Sequence, residues 1–140
     1  GGSQGGGEGM TGPEEGGGYG KGFGQVWGYD SRSETLFLVY QSPGKLTFDF
    51  PDNITVSRRG TLVVCEDSSQ DNYVRGLSRG GQLWDIALNR VQRARDGAPR
   101  YDDEFAGSTF SPDGHTLFVN IQAGAGMTFA IWGPWERLGV

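Results

Sequence analysis

The stretch PDNITVSRRGTLVVCEDS, from Pro51 to Ser68, reads as two short strands folded about a turn at Arg59-Gly60. Each half is rich in β-branched residues, and Ser-Arg-Arg-Gly between them is turn chemistry. Oxygen-bearing side chains gather at the outer ends: Asp52 and Asn53 precede the first strand, Glu66 and Asp67 end the second. Folding at the turn carries both ends to one edge. Oxygen donors grouped this way suit a hard cation such as calcium, which takes about six to eight oxygens from carboxylates, amides and carbonyls. The competing reading is strand-end capping by Asp and Asn. Asp52 and Glu66 favour the cation, because two carboxylates that meet without a cationic side chain beside them repel. Asn53 joins them as a third candidate ligand, with Asp67 behind.

Outward from this hairpin the same texture continues. Strands are expected at 24–30, 35–42, 53–57, 61–67, 73–78, 82–88, 107–111, 115–122 and 128–132, each short, β-branched or aromatic, and bounded by Gly, Pro, Asp or Ser. Further turns are expected at 78–81 (SRGG) and 111–114 (SPDG). The polar stretch 89–104 is the one long loop expected after residue 22. Residues 1–21 are dominated by Gly, Glu, Ser and Pro; they bury too little apolar surface to offset ordering entropy and read as a flexible segment. Within that head GGGYGKGFG lacks the Walker spacing of a phosphate loop.

Composition narrows the function classes. The chain has 140 residues, 26 of them Gly, and a formal charge of −5. Its mean hydropathy is −0.47 and its pI about 4.8. An acidic surface disfavours nucleic acid as a specific partner, since nothing offsets phosphate repulsion, although bound metal ions can still recruit anions. One cysteine permits no internal disulfide. No run of ~18 apolar residues is present to span a membrane.

A repeat lies across the strands. Gly24-Gln25-Val26-Trp27 returns as Gly81-Gln82-Leu83-Trp84, 57 residues on, and a tryptophan ends a further strand at Trp132, 48 residues after Trp84. Thr55-Val56-Ser57, a turn and Leu62-Val63-Val64 return as Thr109-Phe110-Ser111, a turn and Leu117-Phe118-Val119. A period near ~50 residues holding about four strands is a propeller-blade signature. The expected fold is therefore all-β: about two blades' worth of four-stranded antiparallel sheets over 22–140, a partial β-propeller. Residues 51–89 form one full blade, 24–42 the end of the blade before it and 105–132 the start of the blade after it. Propellers close with about four to eight blades, so the strand count points to a C-terminal fragment, with the missing blades of the same enzyme as its partner. A stand-alone β-sandwich is the competing architecture. In this frame Asn120 occupies the strand end that Cys65 occupies one blade earlier, which makes it a secondary ligand candidate; the alternative is a bond to a neighbouring strand. Trp27, Trp84 and Trp132 are expected in blade cores.

The segments GQVWGYD, PDNITVSRRGTLVVCED, RGLSRGGQLWDIALN, EFAGSTFSPDGHTLFVNIQ and TFAIWGPW, in this order from about Gly22 to Trp135, resemble the C-terminal portion of the PhoX family of bacterial alkaline phosphatases. The resemblance implies a six-bladed propeller, twin-arginine export to the periplasm or outside the cell, and a mixed iron and calcium cluster that hydrolyses phosphomonoesters by attack of a metal-held oxygen on phosphorus. The family's Arg-x-Glu-Gly motif has no counterpart here, because no arginine precedes Arg32. Cys65 is not equated with the family's iron-ligating cysteine, which lies in an earlier blade. The catalytic residues therefore stay unassigned, and the fragment alone is expected to be inactive.

Other motifs carry less. The DSSQDN run at 67–72 lacks the spacing of a calcium-binding EF loop. A single histidine, His115, and no nucleophile elbow leave a Ser-His-Asp triad unsupported. Cys65 among apolar neighbours reads as an inert buried thiol. Arg90, Arg93, Arg95 and Arg100 alternate with Asp96, Asp102 and Asp103, a solvated loop rather than a substrate funnel. A calcium-dependent propeller lactonase or esterase, and a non-catalytic propeller binding module, are the alternative functions.

Overall fold

The computed structural model describes residues 2–3, 23–92 and 97–140. The expectation of a flexible segment at 1–21 falls outside the described residues apart from Gly2–Ser3. Strands β1 (Gly2–Ser3), β2 (Gln25–Asp30), β3 (Thr35–Gln41), β4 (Pro51–Val56), β5 (Leu62–Glu66), β6 (Tyr73–Leu77), β7 (Leu83–Leu88), β8 (Phe105–Phe110), β9 (Thr116–Ile121) and β10 (Met127–Trp132) make three sheets, ordered β1-β2-β3, β4-β5-β6-β7 and β10-β9-β8. No helix occurs among the described residues, and every strand expected from the sequence lies within two residues of an observed one. The chain is all-β, its sheets are open, and the four strands expected over 51–89 do form one sheet.

A serine device sets the hairpins. At Ser57, Ser78 and Ser111 the carbonyl accepts from the amide three residues on, at 2.9, 3.1 and 2.8 Å from Gly60, Gly81 and Gly114. Those glycines have φ of +86°, +80° and +74°, the left-handed region where a side chain is strained, which is why each turn ends in Gly. The serine hydroxyl then accepts the amide of the residue at or just before the start of the next strand, Thr61, Gln82 or Thr116, at 3.0–3.2 Å. One short motif thus fixes the register of three hairpins.

The chain divides into two compact units, Gly1–Asp52 and Asn53–Val140. In the first, β2 and β3 pair antiparallel with a bulge at Val26/Trp27, and Phe48 is fully buried edge-on to Tyr40, ring centroids 5.4 Å apart. In the second, Val63, Cys65 and Val74 from the four-stranded sheet pack with Phe105, Leu117, Val119 and Ile121 of the three-stranded sheet. Each fully buried aliphatic side chain there contributes about 1.5–3 kcal/mol. Strand alternation sends Val64 and Glu66 to the opposite face of β5, yet both are buried as well. β5 is therefore covered on both faces.

The tryptophans separate in a way the repeat does not anticipate. Trp84 packs on Gly76, its cross-strand partner, where an added Cβ would lie 2.3 Å from the indole. Trp132 is 72% exposed, because it ends the edge strand β10. The buried indole at this end is Trp135, edge-on to Phe110 at 5.8 Å and donating to the His115 carbonyl at 2.8 Å. Placing Trp132 in a core is corrected accordingly: spacing along the chain does not encode which strand lies at a sheet edge.

Candidate functional site

Glu66 ends β5, and its carboxylate is only 1% exposed. Burying a carboxylate costs several kcal/mol unless it is paired and hydrogen-bonded. Arg75 on the adjacent strand β6 supplies the charge, its Nε donating to Glu66 Oε2 at 3.0 Å. A bulge at Val74/Arg75 shifts the register so that Arg75 faces Asp85 on β7, and its Nη1 donates to that carboxylate. The guanidinium also stacks on the Tyr73 ring, 3.8 Å from the centroid. Three neighbouring strands thus carry a Glu66–Arg75–Asp85 chain with an aromatic lid. The premise that Glu66 has no cationic neighbour is corrected: Arg75, nine residues along the chain, is brought in by hairpin pairing. Sequence reasoning missed Arg75; the signal was a lone charge inside the apolar run Tyr73–Leu77.

The other candidates occupy different settings. Asp52 is exposed at the start of β4. Asn53, half-buried on the same strand, accepts from the Ser108 amide at 3.0 Å and from the Ser108 hydroxyl at 3.3 Å. Ser108 lies in the β8 bulge between Ala106 and Thr109, and a bulge frees a backbone N–H from the ladder. Asn53 satisfies it. Asn120 donates to the Ala106 carbonyl across the same bulge at 3.3 Å and accepts from Thr128 at 2.7 Å. Asp67 is exposed just beyond Glu66. Cys65 is a buried thiol in the core of the second unit, and His115 is exposed.

The loop side of the second unit is organised by two buried asparagines that the sequence did not single out. Asn72 accepts from the Ser68 amide at 2.7 Å and donates to the carbonyls of Ser68 at 3.1 Å and Asp102 at 3.3 Å. Asn89 donates to the Asp103 carbonyl at 2.8 Å, and its own amide bonds the Asn72 carbonyl at 3.0 Å. The DSSQDN run is therefore closed on itself by its last residue. Arg90 pairs with Asp71 at 2.7 Å and holds that exposed carboxyl below its usual range, while Arg100 reaches Asp103 at 3.3 Å. The Arg90–Asp71 pair is half-exposed, whereas the Arg100 side chain is largely buried; Arg93, Arg95 and Asp96 lie outside the described residues.

Among the described residues, no group of three or more His, Cys, Asp and Glu side chains is close enough to hold a metal. No helix among them is long and apolar enough to cross a membrane.

A family model for the alkaline phosphatase PhoX matches residues 13–125, most of the chain, and the chain belongs to that family. No curated protein matches, and no solved structure matches.

Proposed function

We propose that this chain is the C-terminal part of a PhoX-type phosphomonoesterase built on a β-propeller, and that Asp52 and Glu66 lend oxygens to its cations. Family membership supports the phosphomonoester substrate. The single structural observation that carries the reading is β5: a strand buried on both faces that ends in the buried carboxylate of Glu66. In a propeller each four-stranded blade stands between its neighbours around a central channel, which buries both faces of its strands.

In this reading Arg75 and Tyr73 fix the Glu66 carboxylate, Asp52 presents an exposed one, and Asn53 trades its Ser108 bonds for the cation. Calcium and iron, when bound, neutralise charge that develops on a phosphoryl group. In this reading further ligands come from other blades of the same enzyme, and the fragment alone is inactive. Export to the periplasm or the medium belongs to the same reading.

The test is hydrolysis of p-nitrophenyl phosphate and of simple lactones by the purified full-length protein. Phosphate ester turnover without lactone turnover is expected. Lactone turnover alone, or no hydrolysis together with no bound iron or calcium, overturns the reading.

A further inference from the structure

A cleft of about 550 Å³ opens at the turn end of the second unit, between the β4–β5 turn, the β8–β9 turn and the C-terminal segment. Each of the three walls brings a basic group: Arg58 and Arg59 from the first, His115 from the second and Arg137 from the third. Among the described residues no carboxylate lies within ion-pairing distance of Arg58, Arg59 or Arg137, whereas Arg75, Arg90 and Arg100 all pair with carboxylates elsewhere. Three guanidinium groups without a direct ion pair thus gather on one cleft of a chain whose formal charge is −5.

The cleft is built rather than incidental. Arg58 Nη1 donates to the Asp113 carbonyl at 2.7 Å, which bridges two walls. Its stem lies over Gly114, where a Cβ would come 2.3 Å from Arg58 Cδ, so only glycine lets the side chain cross there. Arg79 packs in the same manner against Gly60, adding a fourth guanidinium beside the turn. Two acids, Asp113 and Glu136, also line the space, and Arg58 attracts the Asp113 carboxylate without pairing with it directly. Asp113 is engaged locally, by the Ser111 hydroxyl at 2.5 Å and the His115 amide at 3.0 Å. Trp135 closes the floor.

From this we infer that the cleft is a second anion site, separate from the proposed cation centre, that takes a small phosphate-bearing ligand. Guanidinium groups bind tetrahedral oxyanions through paired N–H donors, and Arg58 keeps most of its five donors for that purpose. A volume in the usual range for small-ligand pockets leaves room for more than the phosphate itself. Glu66 is remote: it stands at the far end of β5, roughly 15 Å along the strand from the turn.

The experiment is equilibrium dialysis of the full-length protein against labelled inorganic phosphate, comparing wild type, the double variant Arg58→Ala/Arg137→Ala, and Arg137→Glu alone. Arg32→Ala, on the exposed β2–β3 turn, is the charge control. Both cleft variants should bind one phosphate fewer per chain, or bind it at least tenfold more weakly, with an unchanged thermal melt and unchanged turnover of p-nitrophenyl phosphate. Equal stoichiometry and affinity in wild type and Arg137→Glu overturns the site, as does an equal weakening by Arg32→Ala, which would mean diffuse charge attraction. A protein that hydrolyses no phosphate ester would count against the phosphatase reading and leave this comparison intact.

Discussion

Arg75 Nε lies 3.0 Å from Glu66 Oε2, and both side chains are buried in the sheet of the second unit. Removing one member of such a pair strands the other without compensation. Arg75→Met in the full-length protein should therefore cost about 3–5 kcal/mol in denaturant unfolding, and Glu66→Leu/Arg75→Met together should cost less than the single change. A double variant as unstable as the sum of the singles would show that the pair is not coupled.

Gly76 and Trp84 make a cross-strand pair with no room for a Cβ, 2.3 Å from the indole. Gly76→Ala should lower stability by about 1–3 kcal/mol through overpacking. Adding Trp84→Leu should return part of it, read as a recovery in Tm.

Nine strands were legible because period-2 patterning and Ser-x-x-Gly turns are local signals, and a hairpin needs little else. The partners of Glu66 were not. Arg75 becomes its neighbour through strand pairing, and the bulge at Val74/Arg75 that aims it at Asp85 has no mark in the sequence. Asn72 and Asn89 look like loop polarity until tertiary contacts bury them against the carbonyls of 102 and 103. Asn53 and Asn120 were visible as polar strand residues, but their bonds to the β8 bulge depend on the Gly107 kink, at φ +58°. Trp132 shows the limit of periodicity from the other side: its spacing was right and its burial was not.

The two loop asparagines should behave as staples. Asn72→Ala leaves the Ser68 amide without its acceptor, and Asn89→Ala removes the acceptor of the Val91 amide. Each orphaned group costs about 1–3 kcal/mol. Hydrogen exchange at Ser68 should quicken in the first variant and at Val91 in the second; unchanged protection at both would refute the stapling role.

Asp113 offers a pH test. Donation from the Ser111 hydroxyl, then from the His115 amide, holds its carboxyl below the usual aspartate range. A depressed folded-state value stabilises above the unfolded value and loses that contribution as pH falls through the folded one. Ser111→Ala should raise the Asp113 titration midpoint, followed by carboxyl NMR, and move the acid-side loss of stability to higher pH. An unchanged midpoint would mean the Ser111 bond does not form in solution.

The most direct measurement is the metal content of the full-length enzyme beside that of Asp52→Ala, an exposed position whose loss leaves the buried Glu66–Arg75 pair in place. Mass spectrometry of the purified proteins should find calcium lowered in the variant, with turnover of p-nitrophenyl phosphate down by about 10- to 100-fold and the thermal melt preserved. Unchanged calcium and unchanged turnover would contradict the assignment of a cation-binding role to this edge of the sheet.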